Sequence, residues 1–281
     1  MKDRESVVVK SDGSYTYFAN DIAYHNLKFE NSPDLVVDVW GANHHGHVPR
    51  IKAAIASLGH ETSKFHVILY QWVRFKRGSE IVKMSKRSGT FITAREVLDE
   101  IGPDALRFFI LMYDPNSHID FDLDLAKERS NKNPVYYVQY AHARIASILT
   151  KVPNVNLESR TPVILERSDR ISKKRSYRSF HSLQDDNANY QLLTTNYELS
   201  LIKQITRLPE LVEDIASNFA VHRLTAYSID LADSFHKFYE NCPVLSDDKE
   251  LTEARIALIS ATKIALANTL RLLGVSAPQK M

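Results

Sequence analysis

Residues 83–89 read Lys83-Met84-Ser85-Lys86-Arg87-Ser88-Gly89, three cations and a glycine in seven positions. Upstream, the apolar run Phe65–Val73 reads as a strand. Downstream, Thr93-Ala94-Arg95-Glu96 forms a capping box that opens a helix. A cationic loop between a strand and a helix can hold a polyphosphate while charge shifts onto it. Lysines act there as mobile point charges that grip a transition state better than a ground state. A solvated basic loop is the plain alternative.

The same alternation continues outward from this loop. Leu35-Val36-Val37-Asp38-Val39-Trp40 ends in Gly41 and suits a buried strand. Val48, Ile51, Ala54, Ile55 and Leu58 recur at helical spacing until Gly59. The helix after Thr93 stops at Gly102, and Pro103 with Asp104 opens another through about Met112. Strands alternating with helices predict a parallel α/β layer over residues 1–120. After residue 121 strand signals stop. Pro134 stands at a first helical position, followed by Val138, Ala141, Ile145, Ile148 and Leu149 on one face. Leu224, Leu231, Phe235 and Phe238 mark another helix. Leu251–Leu273 reads as a long final one, capped by Gly274 with Pro278 beyond. Residues 121–281 therefore read as an all-α helical bundle. A polar insertion interrupts it near 154–189, where Arg167–Arg178 holds six basic residues against the single acid Asp169.

Composition sets limits. The chain has 281 residues, 44% hydrophobic and 25% charged, in the range of a globular protein. Cys242 is the single cysteine, which suits a reducing cytoplasm and excludes an internal disulfide. Apolar runs such as Phe108–Met112 are short, so no transmembrane helix is expected, and the first residues lack an apolar signal core. The formal charge is only +2, so a nucleic-acid partner would meet a local patch.

The tetrad Asp104-Ala105-Leu106-Arg107 follows the lysine loop by about twenty residues. Other distinctive stretches are Ser11–Phe18, Asp21–His25, Trp40–Arg50, Asp120–Leu125, Asn133–Arg144 and Leu272–Met281. Together these resemble the C-terminal part of bacterial arginyl-tRNA synthetases, class I aminoacyl-tRNA synthetases. The resemblance implies the second half of a Rossmann-type catalytic domain carrying the lysine loop, then a DALR anticodon-binding domain. It implies an arginine-tRNA ligase that joins L-arginine to ATP and passes the arginyl group to tRNA(Arg). ATP would come as a substrate with Mg²⁺, with no tightly bound cofactor and no dedicated metal site. Lys83, Met84, Ser85 and Lys86 would then be catalytic.

The resemblance also assigns binding residues. Tyr17 and Asp21 lie at i and i+4, one aromatic and one carboxylate on a shared helix face, as a guanidinium pocket needs. With His44 they would line the arginine pocket; a buried tyrosine and an N-terminal helix acid are the plain alternatives. Tyr137, Tyr140 and Arg144 form a stripe suited to stacking unpaired bases, or else the edge of a helical core. In the family, equivalents of Tyr140 and Arg144 contact the anticodon, and Tyr239 and Met281 occupy two more matching positions. His44-His45-Gly46-His47 fits a His-x-Gly-His pattern, but its neighbours match a later strand, so it goes to the arginine pocket. Zinc is not expected, since no cysteine lies nearby.

The family carries an N-terminal domain and a first catalytic half ahead of these stretches. The expectation is therefore a truncated or split portion, inactive alone, with a separate N-terminal half as one partner left open. The alternative is a non-catalytic tRNA-binding fragment. An unrelated nucleotide-binding α/β protein would require the anticodon-face matches to be accidental.

Overall fold

The computed structural model describes residues 6–82, 92–152 and 192–281, which form two compact units. The lysine loop Lys83–Gly89 and the basic run Arg167–Arg178 lie outside the described residues.

The first unit comprises Met1–Lys76 with Tyr113–Phe121. Helix α1 (Tyr17–Phe29) starts where the Thr16 hydroxyl accepts from the Ala19 amide at 3.3 Å. Strand β1 (Val36–Gly41) leads through a turn of 3₁₀ helix, Ala42–His47, into α2 (Val48–Ser57) and then β2 (Phe65–Tyr70). β1 and β2 are parallel, from Val36 opposite Phe65 to Gly41 opposite Tyr70. This is the connection a parallel pair needs, because a helix must carry the chain back. Phe18 and Phe29 of α1, Ile51 and Ile55 of α2, Val36 and Phe65 make the core, with Trp40 packed against it. The other face of β1 is open: Val37 and Val39 are exposed, as is Leu35 just before it.

The apolar run expected as one strand is in fact two. β2 ends at Tyr70 and β3 covers Val73–Arg77. Between them the Gln71 amide donates to the Pro115 carbonyl at 2.8 Å, outside the β1–β2 ladder. β3 runs beside β5 (Ile119–Asp122), a strand not read from sequence. It is tied there by a two-pronged ion pair from Arg74 to Asp120 at 2.7 and 3.0 Å.

The second unit comprises Arg77–Met112 with Asp122–Met281. It takes in the two-residue strand β4 (Glu80–Ile81) and α3 (Ala94–Leu111). The Thr93–Glu96 capping box is present as read, and α3 breaks at Gly102, whose φ of 79° is left-handed. α4 (Leu123–Lys127) and α5 (Pro134–Thr150) follow, the latter capped by Asn133. Then come α6 (Asn196–Thr206), α7 (Leu208–Asn218), α8 (His222–Asn241) and α9 (Lys249–Leu273). Val138, Ala141 and Ile145 of α5, Leu231, Phe235 and Phe238 of α8, and Ile259, Leu266 and Leu270 of α9 are all buried. The expectation of no transmembrane helix meets one weak exception among the described residues. α9 is long and apolar enough by length and composition, because small and apolar residues offset its charges. Half of its most apolar stretch is buried in the protein, as in a core helix.

Candidate functional site

Tyr17 and Asp21 do share α1, one turn apart, but differ in setting. Tyr17 is the first residue of the helix and 91% exposed. Asp21 already accepts a hydrogen bond from His47 Nε2 at 3.0 Å through Oδ2. Sequence reading named His44, which is exposed on the 3₁₀ turn, and put the His44–His47 stretch in the arginine pocket without pairing His47 with Asp21. The His47 ring is wedged edge-on against Phe18 at 5.7 Å and tilted against Trp40 at 5.6 Å. It therefore aims one Asp21 oxygen, and among the described residues Oδ1 accepts no hydrogen bond, the geometry a cation could use.

Behind this surface lies a group that sequence gave no sign of. Asp38 of β1 is buried, with His25 Nε2 at 2.7 Å on one oxygen and Lys28 Nζ at 2.5 Å on the other. His25 Nδ1 donates to the Asp21 carbonyl at 2.7 Å. One strand carboxylate thus fixes two residues of α1, and with them the helix that presents Tyr17 and Asp21.

β3 ends at Arg77, which belongs to the second unit. Arg77 grips Glu100 of α3 with two bonds, at 2.6 and 2.7 Å, and Lys127 of α4 closes on the same carboxylate. These cations, Arg77 first, hold the Glu100 pKa down at about 2. The Gly78 amide donates to Asp124 at 2.7 Å.

The Asp104–Arg107 tetrad is explained by the C-terminal tail. Asp104 accepts from the Ser276 amide at 3.1 Å, from the Ser276 hydroxyl, and from Gln139 of α5 at 2.8 Å. Arg107 lies so close to Gly274 that a Cβ there would sit 3.1 Å from its guanidinium. His142 Nδ1 donates to the Pro278 carbonyl at 2.8 Å. The tail that ends in Met281, itself 53% exposed, is thereby pinned along α3 and α5.

On another face of α5 the expected stripe forms an aromatic array with α8. Arg144 donates to the Tyr140 hydroxyl at 3.0 Å and lies 4.4 Å over the Tyr239 ring. Tyr136 and Tyr140 are nearly parallel, at 8° and 6.3 Å. Tyr137 meets His236, a residue the sequence reading passed over, at 4.9 Å. Burial, then the charges of Asp233 and Glu240, raise the Tyr137 pKa, so the phenol stays neutral. Partly buried aromatic rings beside a planar cation suit unpaired bases, which stack without needing a cavity. The cavity of about 320 Å³ at the start of α5, lined by Asp104, Arg129 and Asn133, is separate from most of this array. Its acids Glu100 and Asp104 are already bonded, so the open aromatic face is the better candidate.

Comparison with known proteins gives two family matches. Residues 138–281 match the family described as DALR anticodon binding domain, and residues 41–133 match the family described as tRNA synthetases class I (K). The chain is 46% identical over 278 residues to the arginine--tRNA ligase of Moorella thermoacetica, taking in 99% of this chain and 46% of that protein. A Campylobacter jejuni crystal structure, solved as a candidate arginyl-tRNA synthetase, is 31% identical with a TM-score of 0.76 over 98% of this chain and 54% of that one. Thermus thermophilus arginyl-tRNA synthetase shares the fold at 22% identity, with a TM-score of 0.73 over 100% of this chain and 52% of that one. These findings define a class I synthetase segment joined to an anticodon-binding domain. The chain belongs to the arginyl-tRNA synthetase family and is a C-terminal portion of such a protein, spanning about half the length of the curated relatives it matches.

Proposed function

We propose that this chain supplies part of an enzyme that ligates L-arginine to tRNA(Arg) through arginyl-adenylate, using ATP with Mg²⁺, in the cytoplasm. Residues 1–120 form the second half of the catalytic domain and 121–281 the anticodon-binding domain. Tyr17, Asp21 and His44 take the arginine, with His47 orienting Asp21. Lys83, Met84, Ser85 and Lys86 form the catalytic loop, the two lysines gripping the leaving pyrophosphate. Tyr137, Tyr140, Arg144, Tyr239 and Met281 read the anticodon.

The observation that carries this reading is the Tyr140–Arg144–Tyr239 array inside a segment that matches an anticodon-binding family. The test is competition between arginine tRNA and an anticodon-swapped version for the wild-type chain and for Tyr140→Ala. Wild type should prefer the arginine tRNA, and Tyr140→Ala should weaken binding by about 1–3 kcal/mol, the worth of one stacked base. Equal wild-type affinity for both tRNAs would refute anticodon reading.

A second reading is a tRNA-binding fragment without catalysis of its own. The open Leu35–Val37–Val39 row favours completion instead, because parallel sheets are ordinarily covered on both faces. The polypeptide that completes the catalytic half, in the same or a separate chain, is the occupant that fits this row.

A further inference from the structure

We propose that His236 reads an anticodon base through Nε2, an atom that is buried without a hydrogen-bond partner among the described residues. The inference rests on the RNA-binding reading above and adds a residue to it.

His236 is where α8 meets the stripe of α5. Its ring lies 4.9 Å from that of Tyr137 and 5.9 Å from that of Tyr140, the latter inclined by only 23°. Nε2 is shut off from solvent and has no hydrogen-bond partner among the described residues. A buried polar atom left unpaired is costly, and native structures rarely keep one without a use. Phenylalanine would fill the same space without that cost. The cost makes sense if the partner arrives with the ligand. A base stacking on Tyr137 or Tyr140 must shift a ring that now lies against His236. That movement uncovers Nε2 beside the base edge, where direct readout takes place. The charged and titratable groups facing the imidazole are Tyr137, Tyr140 and Arg144 from α5, with Asp233 and Glu240 from α8 itself. Burial, then Arg144, hold the His236 pKa below its ordinary value, so the ring meets the base neutral.

The test uses the full chain, His236→Phe and His236→Gln, with synthetic arginine-tRNA anticodon stem-loops changed at one loop base at a time. His236→Phe should melt about 2–4 °C higher, since the orphaned atom is gone. It should bind the cognate loop about tenfold more weakly, with the loss confined to one base position. His236→Gln, which can place an amide group near the site of Nε2, should restore discrimination there. Wild-type discrimination should fade as pH drops below the ordinary histidine range, while that of His236→Gln stays flat. Full discrimination in His236→Phe would overturn this proposal alone, as would equal weakening toward every loop. A wild-type chain that does not distinguish the loops would overturn the RNA reading beneath it as well.

Discussion

Asp38 shows how one residue can set a surface it does not belong to. Its carboxylate is the shared partner of His25 and Lys28, and the three groups are largely withdrawn from water. Removing one member of such a cluster leaves charge uncompensated, which costs more than the pair is worth. Asp38→Ala should therefore lose about 3 kcal/mol of unfolding free energy, measured by urea denaturation. A loss within about 0.5 kcal/mol, the ordinary scatter of surface changes, would mean the cluster is solvated in solution. None of this was legible in the sequence. Asp38 read as one polar position in an apolar strand, and His25 as part of a family resemblance. Likewise Asp21 could be picked by its spacing from Tyr17 and the His44–His47 stretch by resemblance, but the bond between His47 and Asp21 could not, because the two are 26 residues apart and joined only by the fold.

Elements with a local cause were the legible ones. Thr93–Glu96, Gly102, Pro134 and Gly274 each act through backbone chemistry within a few residues, and each bounds a helix as read. The split between β2 and β3 was not legible, because it is made by a bond from Gln71 to the distant Pro115. Helices α6 and α7 were passed over, although Thr195 and Glu198 carry a capping-box signal. That glutamate has a second role, since it is buried and accepts from Arg255 of α9 at 2.8 Å. Burial would raise its pKa, but bonds from Thr195 and Arg255 outweigh this and lower it. A carboxylate depressed in the fold binds fewer protons there than in the unfolded chain. Its contribution is present above the ordinary carboxylate range and fades as pH falls through the lowered value. Glu100 follows the same sign, between its ordinary 4.5 and about 2. Urea midpoints of wild type and Glu100→Gln should thus differ at neutral pH and converge toward the acid end of that window. The α3–tail latch gives a separate test. Asp104→Ala removes the acceptor of Ser276 and Gln139 and should release the tail. Amide exchange should rise at Val275 and Ser276 while the core of α5 stays protected. Unchanged exchange would leave the latch to His142 and Arg107.

At the scale of the whole molecule, the two proposed binding surfaces fall in separate compact units, and they should separate in assay. The aromatic array, with its helix and tail supports, lies wholly in the second unit. Recognition there needs only stacking and phosphate contacts, so the chain should bind arginine tRNA with marked salt sensitivity. Adenylate formation asks for more. It requires adenosine, α-phosphate and arginine to be held together in a reactive geometry, and most of the barrier reduction comes from that positioning. The first unit holds Asp21 and Tyr17, the residues proposed for arginine, but among the described residues its parallel sheet has two strands and an uncovered apolar face. The chain tested by itself should therefore bind tRNA yet show no ATP–pyrophosphate exchange above background. Adding the polypeptide that corresponds to the other half of its relatives should start exchange, and Lys86→Ala in that mixture should slow it by roughly 2–4 kcal/mol of transition-state stabilisation. Robust exchange by the chain alone, with cognate tRNA present, would show that these 281 residues already hold a complete adenylation site. Exchange restored equally well with Lys86→Ala would instead return the lysine loop to a solvated turn.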